Sequence, residues 1–167
     1  MFHRITDFEY EWYQEIEATQ KVFKHVTDKS LNQVIHPDVR TLGRLAWHIV
    51  ITIPEMMNRT GLNITKPHHD DPIPSSSKQI FAAYNEAAIA VLDEVKRKWT
   101  DATLPTEDEM YGQKWKRGFT LSVLVKHQIH HRGEMIVLMR MAGLAVPGLY
   151  GPTRDEWAKW GMKEPVV

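Results

Sequence analysis

The sequence contains no cysteine among its 167 residues. This absence excludes disulfide bonds, thiolate ligands for a metal ion and a cysteine nucleophile. Any metal ion must therefore be held by nitrogen or oxygen ligands, and any thiol chemistry must take its sulfur from a separate molecule.

The sequence also lacks an excess of charge of either sign, because 21 lysine and arginine residues balance 21 aspartate and glutamate residues. Proteins that bind the phosphate backbone of nucleic acids usually carry clustered positive charge. We therefore expect no nucleic-acid partner.

Long hydrophobic runs are missing as well. The most apolar stretch, Leu45 to Met57, is shorter than the about 20 residues of a membrane span, and it includes Pro54 and Glu55. This stretch predicts a core helix and no membrane partner. The first residues, Met1 to Asp7, lack the basic start and apolar run of a secretory signal, which predicts a cytoplasmic protein.

The composition is that of an ordinary globular protein, with 43% hydrophobic and 25% charged residues. A chain of this length can bury a workable core, since single domains usually contain about 100 to 200 residues. We expect one domain that comprises residues 1–167.

Apolar residues recur at steps of three or four in four long segments, which is the pattern of helices with one buried face. The predicted helices run from Thr6 to Thr27, from Val39 to Arg59, from Ser76 to Trp99 and from Thr120 to Met141. A proline-rich crossover connection precedes the third helix, residues 100–118 read as a loop, and no strand pattern is recognised. The sequence therefore predicts an all-α protein, a four-helix bundle with a long crossover connection and a short C-terminal helix.

Three pairs of residues have the spacing of a capping box, in which two side chains satisfy free backbone groups at the start of a helix. They predict the starts of the first helix, the third helix and the short C-terminal helix, and they are Thr6 with Glu9, Ser76 with Gln79, and Thr153 with Glu156. Gly143 is in turn suited to end the fourth helix.

Two histidines of the fourth helix, His127 and His131, are four residues apart and therefore lie on one helical face. Leu124 and Leu138 belong to the same stripe, so this face is predicted to point inward. Facing helices usually supply the ligands of a metal site inside a bundle, and His48 in the middle of the second helix is the best third ligand. The alternative is a partly buried histidine that only forms a hydrogen bond.

The residues around His131 suggest supporting roles. His130 points to another face of the helix and should serve packing or contact a ligand. Glu134 could orient a ligand or a bound water, or it could be a merely solvated or hydrogen-bonded glutamate. Arg132 is predicted to form an ion pair at the surface or the helix end. Gly133 suggests the close approach of another backbone, because glycine in a helix costs about 1 kcal/mol relative to alanine.

Two predicted helices carry apolar residues on a second face. These residues are Trp47 and Ile51 in the second helix, and Val125, Ile129 and Ile136 in the fourth. A second apolar face needs a second burial surface, which predicts a homodimer, unless the remaining helices and the C-terminal tryptophans cover it within one chain.

Two sequence blocks resemble the DinB/YfiT-like superfamily of small bacterial metalloproteins. They are TLGRLAWH at Thr41 to His48, and HQIHHRGE at His127 to Glu134 followed by LMRMAG up to Gly143. The resemblance implies a four-helix bundle with a histidine triad on one divalent ion, and it assigns the triad to His48, His127 and His131. Glu134 is a departure, because many relatives have glutamine there, and it alters the local charge.

Members of that superfamily include metal-dependent hydrolases, isomerases dependent on a small thiol and transferases that join a small thiol to an electrophile. Three neutral imidazoles leave an open position on the ion, as in catalytic sites, and zinc and nickel both suit imidazole. We expect a thiol-dependent transferase or isomerase acting on a small molecule with a low-molecular-weight thiol. Metal-dependent hydrolysis and a noncatalytic metal-binding stress protein are the alternatives.

Overall fold

A computed structural model describes residues 1–68 and 70–166 of the chain, so that His69 and Val167 lie outside the described residues. In this part of the chain the four predicted helices are present, as α1 (Ile5–Phe23), α2 (Leu42–Asn58), α3 (Ser77–Lys98) and α4 (Arg117–Met141). The helical bundle is thus confirmed. Helix α1 is shorter at its end than the periodic pattern predicted, and α2 begins three residues later.

The four helices bury their apolar faces in one core. Helix α2 packs against α3 and α4, and α1 packs against the same two helices, which leaves α1 and α2 diagonally opposed. Large side chains that are entirely or almost entirely buried come from every helix, and they include Phe8, Trp12, Ile49, Ile53, Tyr84, Val91, Leu121 and Leu124. The packing of α2 against α4 matters most for function, since it brings the histidines of the two helices together.

The predicted capping boxes of α1 and α3 are not formed. Helix α1 begins at Ile5, so Thr6 lies inside it and the first capping box is wrong; the amide of Ile5 donates to Asp101 instead, at 2.8 Å. Ser76 is the N-cap of α3, but its side chain forms no cap, and the amide of Ser77 donates to the carboxylate of Asp28 in the connection between α1 and α2. In both cases a tertiary contact replaces the local one.

The C-terminal signals are confirmed in part. Gly143 ends α4 with a φ of 71°, and the amide of Leu144 donates to the carbonyl oxygen of Met139 at 2.9 Å, which is the expected helix-ending motif. The capping box of Thr153 and Glu156 is present. The element that it opens is a short 3-10 helix, Arg154–Trp160.

The segment between α3 and α4 contradicts the prediction of a simple loop. It contains an antiparallel hairpin of β1 (Glu107–Met110) and β2 (Gln113–Lys116), whose turn residues Tyr111 and Gly112 both have positive φ. Each strand has only four residues, and most are charged and exposed, so no apolar alternation marked them in the sequence. Such turns match the twist of paired strands.

The long connections position the ends of the helices. Residues 59–76 form the predicted crossover, and the indole nitrogen of Trp47 donates to the carbonyl oxygen of Asp71 at 3.1 Å. The connection before α2 contains a 3-10 turn, Asp28–Asn32, and the amide of Leu42 donates to the carbonyl oxygen of Gln33 at 2.8 Å. That bond holds the segment around Gln33 against the start of α2. None of the described helices is long and apolar enough to cross a membrane.

The expected close approach at Gly133 is absent, since a Cβ atom there would meet no other atom within 4 Å. A close approach occurs instead at Gly118, where a Cβ atom would overlap the carbonyl oxygen of Phe2. The amide of Phe2 donates to Gly118 at 3.0 Å, so this glycine lets the N-terminal segment lie against the start of α4.

Candidate metal centre

Three histidines meet where α2 packs against α4. His48 comes from the middle of α2, and His127 and His131 lie one turn apart on α4. The ring centroids are 4.4 Å apart for His127 and His131, 4.6 Å for His48 and His131, and 5.0 Å for His48 and His127. One ring nitrogen of each histidine can be chosen so that all three lie within 4.8 Å of one another. The residues predicted from sequence therefore form one cluster that could hold a metal ion.

The spacing of the ring nitrogens fits a metal ion. The Nε2 atoms of His127 and His131 are 3.1 Å apart. Two metal–nitrogen bonds of about 2.0 to 2.1 Å at a tetrahedral angle would place the two nitrogens about 3.3 Å apart. The α4 pair is therefore close to the geometry of two ligands on one ion.

The hydrogen bonds of the rings decide where their lone pairs lie. The Nδ1 atom of His131 donates to the carboxylate of Glu134 at 2.6 Å, which leaves the lone pair on its Nε2, facing His127. The Nδ1 atom of His127 lies 3.5 Å from the hydroxyl oxygen of Thr52, which itself donates to the carbonyl oxygen of His48 at 2.8 Å and can accept from Nδ1. In that tautomer of His127 both Nε2 lone pairs face each other, as two ligands of one ion do, whereas in the other tautomer Nε2 of His127 donates to Nε2 of His131 at 3.1 Å.

The electrostatic surroundings keep two of the three histidines neutral. Burial, the positive charge of Arg40 and the neighbouring histidines together lower the pKa of His48 to about 3. Burial and the neighbouring His131 and His130 lower the pKa of His127 to about 4. A neutral imidazole has a free lone pair for a metal ion, so at neutral pH both residues are ready to bind one.

Two neighbours of the triad lie at its edge. Glu134 accepts a hydrogen bond from His131, which fits the predicted role of orienting a ligand as well as the alternative of a hydrogen-bonded glutamate. His130 stays outside the triad, with a side chain that is 68% exposed and an Nε2 atom 3.9 Å from Glu134. His130, His131 and Glu134 form a second cluster of possible ligands, but Glu134 already accepts from His131.

Arg132 is a correction to the sequence prediction. It forms an ion pair, as predicted, but its side chain is 1% exposed and pairs with Glu15 of α1 at 2.5 Å inside the bundle. It also donates to the hydroxyl of Thr19 at 2.9 Å, and the hydroxyl of Tyr150 donates to Glu15 at 2.8 Å. The position follows Gln128 by one turn, and Gln128 is entirely buried, so the inward stripe of α4 includes polar residues.

Sequence reasoning missed a cavity beside the triad. Its volume is about 590 Å³, and Glu134 contributes both to its wall and to the hydrogen bond with His131. The wall comes from α2, α4 and the connection before α2, and it consists of Ile35, Asp38, Val39, Arg40, Leu45, Glu134, Val137 and Leu138. Four of these residues precede α2 in irregular backbone. The direction of a side chain there cannot be predicted from the periodicity of a helix.

The family of the chain follows from its similarity to known proteins. The family model described as DinB family matches residues 1–164. The chain belongs to the DinB family. The protein YrdA of Bacillus subtilis (strain 168) is 44% identical over 165 residues, a match that covers 99% of each chain.

Solved structures agree with the helical fold of this DinB-family protein. The crystal structure of a DinB-like protein from Bacillus cereus ATCC 10987 matches with a TM-score of 0.86 and 43% identity, over 90% of this chain and all of that one. A DinB-like protein from Bacillus subtilis, YjoA, matches with a TM-score of 0.67 and 17% identity, over 87% of this chain and 98% of that one. The second similarity concerns the fold alone.

Proposed function

We propose that this DinB-family protein binds one divalent metal ion, zinc or nickel, through His48, His127 and His131, and uses it to transfer or isomerise a small molecule with a low-molecular-weight thiol. The observation that carries the proposal is the convergence of the three rings, with the Nε2 atoms of His127 and His131 only 3.1 Å apart. A shared divalent ion would accept a lone pair from each of these nitrogens, and such an ion suits three imidazoles.

The surroundings of the triad favour a catalytic site over a purely structural one. Structural zinc sites are usually closed by four protein ligands, whereas catalytic sites have three and keep a position open. His48 and His127 are partly exposed, and Glu134, which bonds to His131, contributes to the wall of the cavity. A divalent ion supplies a double positive charge that lowers the pKa of a thiol or a water molecule bound to it.

The side chains of the protein have distinct tasks in this proposal. The three histidines bind the ion as neutral ligands. Glu134 holds the proton of His131 at Nδ1 and thereby orients the ring, and Thr52 stands in the corresponding place beside His127. The apolar wall of the cavity excludes water from one side of a bound substrate.

The choice of a thiol over water rests on the resemblance of the histidine blocks to thiol-dependent relatives. The chain has no cysteine, so a thiol substrate would also meet no competing protein thiolate. Metal-dependent hydrolysis is the nearest alternative, because the same ion would activate water. A noncatalytic metal-binding stress protein is the other.

The test is an assay of the metal-loaded protein with glutathione or cysteine and an aromatic chloride as electrophile, with the His127→Ala variant as the control. We expect conjugate to form only with thiol, metal and intact His127. Product formed from an activated ester at the same rate with and without thiol would indicate hydrolysis. No turnover with either class of substrate would favour the noncatalytic alternative.

We also propose that the protein is a homodimer. Of the five residues on which that prediction relied, Trp47, Ile51 and Val125 are buried within the single chain and need no partner, and Ile129 and Ile136 are partly buried against the core. Other apolar side chains of α4 stay open, since Val137 and Met141 are each 49% exposed. Light scattering at micromolar concentration should give twice the chain mass of 19.4 kDa. A mass equal to one chain would rule the dimer out.

A further inference from the structure

We propose that the cavity beside the triad binds a small ligand with an apolar body and a carboxylate group, and that the carboxylate pairs with Arg40. This inference deepens the proposed function by naming a class of substrate, and it rests on that function for the ion beside the ligand. It is carried by the shape of the cavity, by its apolar wall and by the single cationic side chain in that wall.

The cavity has the size and lining of a site for a small molecule. Its volume of about 590 Å³ lies inside the range of about 300 to 1,000 Å³ that is usual for such sites. Ile35, Val39 and Val137 line it and are 60%, 48% and 49% exposed. Large aliphatic side chains that share one concave surface gain free energy when an apolar ligand covers them.

Arg40 is the cationic residue of the wall, and within the described part of the chain it pairs with no carboxylate. Neither Arg40 nor Arg44 forms an ion pair with any residue among 1–68 and 70–166. A guanidinium beside an apolar surface suits a carboxylate, which it can bind through two parallel hydrogen bonds. The positive charge of Arg40 also reaches the triad, where it contributes to lowering the pKa of both His48 and His127.

The two acidic residues of the wall differ in their surroundings. Glu134 accepts from Nδ1 of His131 at 2.6 Å, whereas the carboxylate of Asp38 is 87% exposed to solvent, and Nδ1 of His36 accepts from the backbone amide of Asp38 at 3.2 Å. Arg40 is the cationic group of the wall and therefore the one that suits an anionic ligand. A divalent ion on the triad would add positive charge on the same side, which favours an anion over a neutral or cationic ligand.

The experiment compares hexanoate with 1-hexanol, which share an apolar chain and differ in the charged group. Isothermal titration calorimetry measures both on the full-length protein, in the metal-free and the zinc-loaded state. We expect hexanoate to bind at least about tenfold more tightly than hexanol in both states, because a hydrogen-bonded charge pair has about that effect. Shifts of the methyl signals of Leu45, Val137 and Leu138 in nuclear magnetic resonance spectra should locate the ligand.

Three variants separate direct pairing from the general field of positive charge. Arg40→Gln should weaken the binding of hexanoate by about tenfold and leave the binding of hexanol unchanged. Arg44→Gln removes a charge near His48 that does not line the cavity, and its effect should be less than about threefold because solvent screens it. Arg140→Gln removes an exposed charge near the end of α4, away from the cavity, and should have no effect.

Equal binding of hexanoate by the wild type and Arg40→Gln would overturn the proposal, as would an equal loss in Arg40→Gln and Arg44→Gln. Binding that requires zinc but not Arg40 would also overturn it, because the carboxylate would then bind the ion. Metal content, measured in parallel by elemental analysis, keeps the two proposals apart. A protein that takes up no zinc would refute the proposed function, while the dependence on Arg40 in the metal-free protein would still decide the nature of the ligand.

Discussion

Replacing Glu134 by alanine removes the carboxylate that accepts the Nδ1 proton of His131 at 2.6 Å. The ring of His131 then loses the contact that fixes its orientation and directs its Nε2 lone pair toward His127. Hydrogen bonds of this kind typically contribute about 10- to 100-fold to metal affinity. Because the side chain of Glu134 is 45% exposed, water can replace part of the contact. We therefore expect a loss of zinc affinity at the lower end of this range, about tenfold, which corresponds to about 1.4 kcal/mol of binding free energy.

A titration of zinc against a chromophoric chelator at neutral pH measures this change. Two variants serve as controls. Glu134→Gln keeps an acceptor oxygen and loses only the charge, so its affinity should fall by less than that of Glu134→Ala. His130→Ala removes the other neighbour of Glu134, 3.9 Å away, and should bind zinc as the wild type does.

Wild-type affinity in Glu134→Ala would refute the role assigned to this carboxylate. An equal loss of affinity in His130→Ala would show that the exposed pair of His130 and Glu134 binds the ion, contrary to the lone-pair argument.

Three further predictions concern the triad and the core. Replacement of His48, His127 or His131 by alanine should abolish stoichiometric zinc binding in elemental analysis after dialysis, while His130→Ala retains it. Loss of zinc from His130→Ala together with retention by His48→Ala would contradict the assignment. The metal-free protein should lose stability in urea as pH falls from 6.5 toward 4. Burial lowers the pKa of His48 to about 3 and that of His127 to about 4 in the folded state. The unfolded chain therefore binds more protons than the folded protein in this pH range, which favours unfolding. Constant stability across that window would argue against burial of neutral rings. Arg132→Met should lower the free energy of unfolding in urea by about 3 to 5 kcal/mol, since it leaves the carboxylate of its α1 partner buried without a cation; unchanged stability would mean that this pair contributes nothing.

Features that depend on neighbouring residues in the chain were predictable. The helical periodicity located all four helices, and Gly143 marked the end of α4, because a helix and its end are determined by local backbone geometry. The spacing of His127 and His131 placed both on one face for the same reason. His48 required one further assumption, that α2 and α4 pack together, and the structure confirms that contact.

Features that depend on distant residues were missed or misplaced. The hairpin strands are too short and too polar to show an alternating pattern. Arg132 is buried because α1 brings Glu15 against α4, and nothing near Arg132 in the sequence announces that partner. The start of α3 is likewise stabilised by Asp28, which lies 49 residues away.

The sequence by itself determined the four helices, the absence of any protein thiol and the shared helical face of His127 and His131, because composition and helical spacing are properties of the chain alone. Only the tertiary structure decided that His48 meets these two histidines, that Glu134 bonds to His131, that Arg132 is buried, and that Arg40 and Glu134 line one cavity. Arg40 belongs to irregular backbone, whose direction is determined by the bond between Leu42 and Gln33 and by the packing of the connection against α2. Such contacts between segments distant in the chain form only when the whole bundle is assembled.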